Sequence, residues 1–140
     1  MEAASPARLY ASVVGALLVV LGILGFFYTA SFDALDHYEE AFGALQVNGW
    51  LNLFYVATGA LGLLVAGASS RGYSLAVGLL YTVLAIIGWG SGALHLAIGL
   101  LGLAAVAGTP TERSRRRLKQ RGERPRRRSK PRAKPAGKGA

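Results

Sequence analysis

The sequence contains no cysteine. That removes disulfides, thiolate catalysis, iron–sulfur clusters and dithiol exchange, and leaves the redox state of the compartment unread. Charge is nearly as scarce over most of the chain. Residues 1–108 carry two cations, Arg8 and Arg71, against five acids, Glu2, Asp33, Asp36, Glu39 and Glu40, a net of −3. Residues 109–140 carry fourteen Lys or Arg against Glu112 and Glu123, a net of +12, so the overall +9 describes the end of the chain alone. Catalytic signatures are missing too: there is no Ser-His-Asp set, Walker loop, dinucleotide glycine motif after a strand, or His-Glu-x-x-His. No catalytic residue, no cofactor and no enzyme activity are expected.

What is present is oil-soluble sequence. Asn48 to Gly67 is twenty residues without a charge, with two asparagines near one end and glycines at helical spacing. Leu9 to Tyr28 is a second uncharged run of twenty, close to the roughly 20 residues that cross a 30 Å hydrocarbon layer as a helix. A cleaved signal peptide is the rival reading of that first run, but its apolar length exceeds the usual h-region and further apolar runs follow. From Tyr73 to Gly108 there are thirty-six residues with no Asp, Glu, Lys or Arg, broken near the middle by Gly88-Trp89-Gly90-Ser91-Gly92. The expected fold is an all-α integral membrane protein with four spans, at about 9–28, 50–66, 73–88 and 92–108. The domain is expected to cover 1–108.

The spans repeat. Arg8-x-Tyr10 with Gly15 and Gly25 recurs 63 residues later as Arg71-x-Tyr73 with Gly78 and Gly88, and Tyr55 with Gly59 and Gly62 recurs 40 residues later as His95 with Gly99 and Gly102. Two tandem helical hairpins are the simplest reading. An even number of spans places both termini and the 67–72 turn on one side, together with all sixteen Lys and Arg. By the positive-inside rule the termini are cytoplasmic, in a multi-pass plasma-membrane protein. Phe26, Phe27, Tyr28, Trp50 and Trp89 then fall at the outer interface, Tyr10 and Tyr73 at the inner one. Ser31 to Val47 reads as a short amphipathic surface helix with Phe32, Leu35, Tyr38, Phe42 and Leu45 on one face.

The odd residues of the spans are mostly helix-contact residues. Gly15, Gly22, Gly59, Gly62, Gly99 and Gly102, with the pairs Gly62/Ala66 and Ala93/Ala97, have the small-residue spacing that lets backbones approach in lipid. Asn48 stands at a helix N-cap position. Asn52, Tyr55 and His95 share a depth in the outer part of the membrane. Polar groups there are costly unless paired, so they are expected to face the bundle as an intramembrane polar cluster, or to line a ligand, proton or metal site. Asp33, Asp36, His37 and Glu40 have i, i+3/i+4 spacing but one His and no partner motif, so they read as a solvated face and no metal is expected.

Residues 109–140 hold four of the five prolines and no aromatic residue. Such a tail is expected to be disordered. Beside the inner leaflet, Arg113, Arg115, Arg116, Arg117, Lys119 and Arg121 are expected to contact anionic lipid. Nucleic acid is the weaker partner, since no aromatic is there to stack on bases.

Asn48, Asn52 and Gly59, with Leu94, His95, Leu96 and Gly99, resemble the small four-helix membrane protein family described as domain of unknown function 4383. That family's pattern is approximately Asn-Pro-Leu-His-Asn-Leu-x-His-Leu-x-x-Gly in the second helix and Leu-His-Leu-x-x-Gly in the fourth. The resemblance covers roughly residues 8–108. Leu51 and Tyr55 stand where the pattern has histidine, so His95 alone remains for any role of a histidine pair. The resemblance implies a fold and a location rather than a reaction. The expected function is association, with the lipid bilayer, with a second copy or with a larger membrane assembly. The alternative is a small transporter or channel whose path passes Asn52, Tyr55 and His95.

Overall fold

Each helix begins or ends where the sequence supplies a cap. Pro6 opens α1 (Pro6–Gly25) at a position where its missing N–H costs nothing, behind Ser5, whose hydroxyl accepts from the Arg8 N–H at 3.3 Å. Asn48 caps α2 (Gly49–Val65) as expected, its Oδ1 accepting from the Leu51 N–H at 2.7 Å. Helix α3 (Ser70–Ile87) stops at Gly88, whose φ of +73° is a left-handed conformation that glycine adopts freely. Helix α4 (Gly92–Gly108) ends at Thr109, whose hydroxyl bonds back to the Ala105 carbonyl at 2.7 Å. The computed structural model describes residues 4–111 together with 113, 114, 117 and 120. Among these, four helices form the chain's principal unit, which closes at Thr109. Helices α1 and α3, of 20 and 18 residues, are long and apolar enough to cross a membrane, and α2 and α4 are apolar helices of 17.

Helix α1 lies along α2, and α3 along α4; α1 also touches α3 and α4, while α2 meets α3 over a shorter contact. Glycines set these pairings. A Cβ on Gly15 would lie 2.9 Å from the Gly59 carbonyl oxygen and 3.2 Å from the Leu63 nitrogen. One on Gly78 would lie 3.2 Å from the Gly99 oxygen and 3.0 Å from the Leu103 nitrogen. The second set is the first displaced by 63 residues in one helix and 40 in the other.

The same displacement relates the contacts that cross between the hairpins. The Tyr10 hydroxyl donates to the Ile98 carbonyl at 2.9 Å and lies over Gly102; the Tyr73 hydroxyl donates to the Thr58 carbonyl at 2.9 Å and lies over Gly62. Each tyrosine closes the opposite hairpin. Both are buried, with ring centroids 6.4 Å apart, so they are internal fasteners as well as residues of the terminal end.

The segment between α1 and α2 is not the amphipathic helix its wheel pattern suggests. It contains a two-stranded antiparallel hairpin, β1 (Glu39–Ala41) and β2 (Leu45–Val47), with Ala41 opposite Leu45 and Glu39 opposite Val47. Phe42 and Gly43 make its turn with φ of +55° and +72°. The cause is the destination of the backbone carbonyls. Leu35 accepts from the Asn48 amide and the Trp89 indole, His37 from the Asn48 amide, and Phe32 from the Trp50 indole. A helix would have consumed those acceptors internally. The hairpin also binds the α3–α4 turn, through Gln46 N–H to the Ser91 hydroxyl at 2.8 Å and Gly90 N–H to the Tyr38 hydroxyl at 3.1 Å.

The outside of the bundle is its oily side. Leu64 is 81% exposed, Ile86 77% and Ile87 66%, whereas Asn52, Ser74, Tyr81 and His95 are wholly enclosed. Beyond Thr109, residues 113, 114, 117 and 120 are helical, and the Ser114 N–H donates to the Thr111 hydroxyl at 3.3 Å.

Candidate functional site

Tyr55 on α2 and His95 on α4, equivalent positions at the offset of 40, meet in the interior. Tyr55 Oη and His95 Nε2 are 2.8 Å apart, and the donor depends on the imidazole tautomer. Both are buried, at 2% and 0% exposure. Each stands four residues before a helix-contact glycine, Gly59 on α2 packed against α1 and Gly99 on α4 packed against α3.

Two residues that sequence reasoning did not single out complete the site. Tyr81 of α3 sets its ring edge-to-face against His95, with centroids 5.2 Å apart and planes at 86°, and lies parallel to Tyr55 at 6.4 Å. Its hydroxyl pairs with the Thr58 hydroxyl at 2.9 Å. Tyr81 stands 63 residues after Leu18, itself fully buried, so the repeat offset was the available signal. A tyrosine inside an apolar run carries no other.

Asn52 does not join them. It turns to α1, where its amide nitrogen donates to the Thr29 carbonyl at 3.0 Å and its side chain fills the space a Cβ on Gly25 would need. Three residues of α2 turn through about 300°, so the two side chains point about 60° apart, Asn52 toward α1 and Tyr55 toward α4. Asn52 Oδ1 and His95 Nδ1 are buried with no hydrogen-bond partner among the described residues. Above His95 lies the α3–α4 turn: a Cβ on Gly90, whose φ is +69°, would meet Leu51 at 2.7 Å and His95 Cε1 at 3.2 Å.

Chemically, a phenol and an imidazole in contact can hold or relay one proton, and nothing in the pair activates a nucleophile. Among the described residues no three His, Cys, Asp or Glu converge as a metal site. Asp33, Asp36 and Glu40 are spread along the loop and hairpin, and the Asp33 carboxylate accepts from the Ser31 hydroxyl at 2.8 Å.

The small residues divide into two groups. Gly15, Gly22, Gly59, Gly62, Gly99 and Gly102 are all buried at helix contacts. Ala93 and Ala97, at the same spacing, are exposed on the outer face of α4. Of the expected lipid-contacting cations, Arg113 and Arg117 are exposed, and Arg115, Arg116, Lys119 and Arg121 lie outside the described residues. Arg71 is half-buried, its guanidinium donating to the Thr109 carbonyl.

No curated protein and no solved structure matches the chain. A family model does, over a stretch that begins at Arg8 and stops one residue short of His95. The chain belongs to the family described as Domain of unknown function (DUF4383), whose model matches residues 8–94.

Proposed function

We propose that this is a four-span plasma-membrane protein with cytoplasmic termini, which works by association with itself or with a larger membrane assembly and not by catalysis. The observation that carries the membrane reading is the inverted distribution of polarity. Large aliphatic side chains cover the outside of all four helices, while asparagine, serine, histidine and tyrosine are enclosed. In water that arrangement exposes the groups that most need burial; in hydrocarbon it is the stable one, because enclosed polar groups find partners and aliphatic ones meet acyl chains.

Association is supported by Ala93 and Ala97, small residues on an outward face where a neighbouring helix can approach closely. The cations of residues 113–121 supply attraction to anionic lipid, very roughly 1 kcal/mol for each one near the surface. The transport reading has less support, since Asn52 is turned to α1 and the Tyr55–His95 pair is enclosed.

The cysteine-free chain makes the test direct. A single cysteine at Gly43 should react with a membrane-impermeant maleimide in intact cells, and one at Ser129 only after permeabilisation. The reverse pattern, or a protein recovered without detergent, would sink the topology. Single cysteines along α4 at Ala93, Ala97, Leu100 and Ala104 should crosslink to a neighbour in native membranes, and capture of monomers alone would sink the association.

A further inference from the structure

Beside the α1–α3 contact, two equivalent seams join the hairpins, α1 with α4 and α2 with α3, and at the offsets of 63 and 40 every position in one has a counterpart in the other. The α1–α4 seam is drawn shut at the terminal end. Ala7 N–H donates to the Thr109 hydroxyl at 2.9 Å, and Gly108 lies against Pro6. The α2–α3 seam opens instead into a groove of about 360 Å³, walled by Leu61, Val65, Ala76, Val77 and Leu80, with Thr58 at its inner limit and Ser69 and Gly72 at its mouth. The difference is visible in the side chains: Gly72 and Ala76 stand where the closed seam has Leu9 and Val13.

We infer that this groove binds one acyl chain of an anionic phospholipid drawn from the leaflet nearest the termini, with the headgroup at the start of α3. This deepens the four-span reading and rests on it. The volume falls in the range of ligand sites, about 300–1,000 Å³. From Ser69 to Leu80 the helix rises about 16 Å at 1.5 Å per residue. That is about half of a 30 Å hydrocarbon layer, the depth one acyl chain reaches from headgroup to midplane.

The lining asks for hydrocarbon. Its deep polar groups are already engaged, the Thr58 hydroxyl with the Phe54 carbonyl at 2.8 Å and the Tyr73 hydroxyl with the Thr58 carbonyl. Only the mouth has polar groups to spare. Ser69 makes no side-chain cap bond, and the first amides of α3 carry the positive end of the helix dipole. The sign of the headgroup follows from charge: every Lys and Arg of the chain is on the terminal side in the four-span reading.

The test uses the full chain in vesicles of phosphatidylcholine and phosphatidylglycerol, the latter carrying a diazirine in one acyl chain. After flotation to establish incorporation, the vesicles are illuminated and labelled residues are mapped by mass spectrometry. Labelling at Leu61, Ala76 and Leu80 should exceed that at Leu101, Val13 and Leu17 by about fivefold, equivalent to about 1 kcal/mol of preference. The pair Gly72→Leu with Ala76→Val, which copies the closed seam, should erase the excess. The first change begins in open space, since nothing lies within 4 Å of a Cβ at Gly72.

Equal labelling of the two seams, or an excess that survives the paired substitution, overturns the proposal. So does equal labelling when the diazirine is carried by phosphatidylcholine, or a groove shielded from label and crosslinked to a second copy. A chain that fails to float with the vesicles refutes the four-span reading instead.

Discussion

Adding one methyl group at Gly59 tests whether the helices are held by backbone contact. A Cβ there would lie 2.5 Å from the Gly15 carbonyl oxygen, 2.7 Å from the Val19 nitrogen and 2.9 Å from Val19 Cγ2, where ordinary contact starts at 3.4 Å. The two nearest atoms belong to backbone, so no rotamer change relieves them. Helices α1 and α2 must part by roughly 1 Å, which forfeits a quarter to a half of the dispersion well along the seam.

Overpacking of this kind costs about 1–3 kcal/mol, partly offset by the roughly 1 kcal/mol that alanine gains over glycine in a helix. At Gly72 the same substitution meets nothing within 4 Å, so only the gain remains. Gly59→Ala should therefore be about 1–3 kcal/mol less stable than Gly72→Ala, and Gly99→Ala, whose Cβ would lie 2.7 Å from the Thr82 nitrogen, should behave like Gly59→Ala. Reversible unfolding of the full chain in mixed micelles, titrated with a denaturing detergent, measures the difference. If Gly59→Ala proves as stable as Gly72→Ala, backbone proximity is not what joins these helices.

Two further outcomes are expected. Tyr55→Phe leaves His95 Nε2 buried and unpaired and should cost about 1–3 kcal/mol. In a double-mutant cycle with His95→Phe the losses should be non-additive, and simple additivity would mean the 2.8 Å contact contributes nothing. Asn48→Ala removes the α2 cap and both amide bonds to the Leu35 and His37 carbonyls. It should cost about 1–2 kcal/mol and speed proteolysis within residues 31–47; an unchanged digestion rate would show that the loop is held by something else.

The helix ends were legible because punctuation there is chemical: Asn48 at a cap, Gly88 and Gly90 at a break, Ser69 and Ser70 at a turn. The helix-contact glycines were legible for the same reason, since small-residue spacing inside an apolar run has few other meanings. The 31–47 segment was not, because a wheel shows where side chains would point and not where carbonyls go. It was Asn48, Trp50 and Trp89, all outside the segment, that claimed those carbonyls. In the site, equal depth put Tyr55 and His95 among the candidates for pairing, with one another or with backbone. It failed for Asn52, because depth along a helix says nothing of azimuth around it. Tyr81 and Thr58 went unmarked because a hydroxyl in an apolar run declares itself only once its partner is known.

The halves of this molecule are tied to each other at both rims, through the β-hairpin and the α3–α4 turn at one and through Ala7, Ser74 and Thr109 at the other. Between the rims, side chains and glycine faces do most of the holding. A four-rod frame lashed top and bottom resists splaying but yields most readily by bowing at mid-height. Pressure from a neighbouring protein would therefore be met first by the hydroxyl contacts of Tyr10, Tyr73 and Tyr81, the bonds that cross between helices at that height.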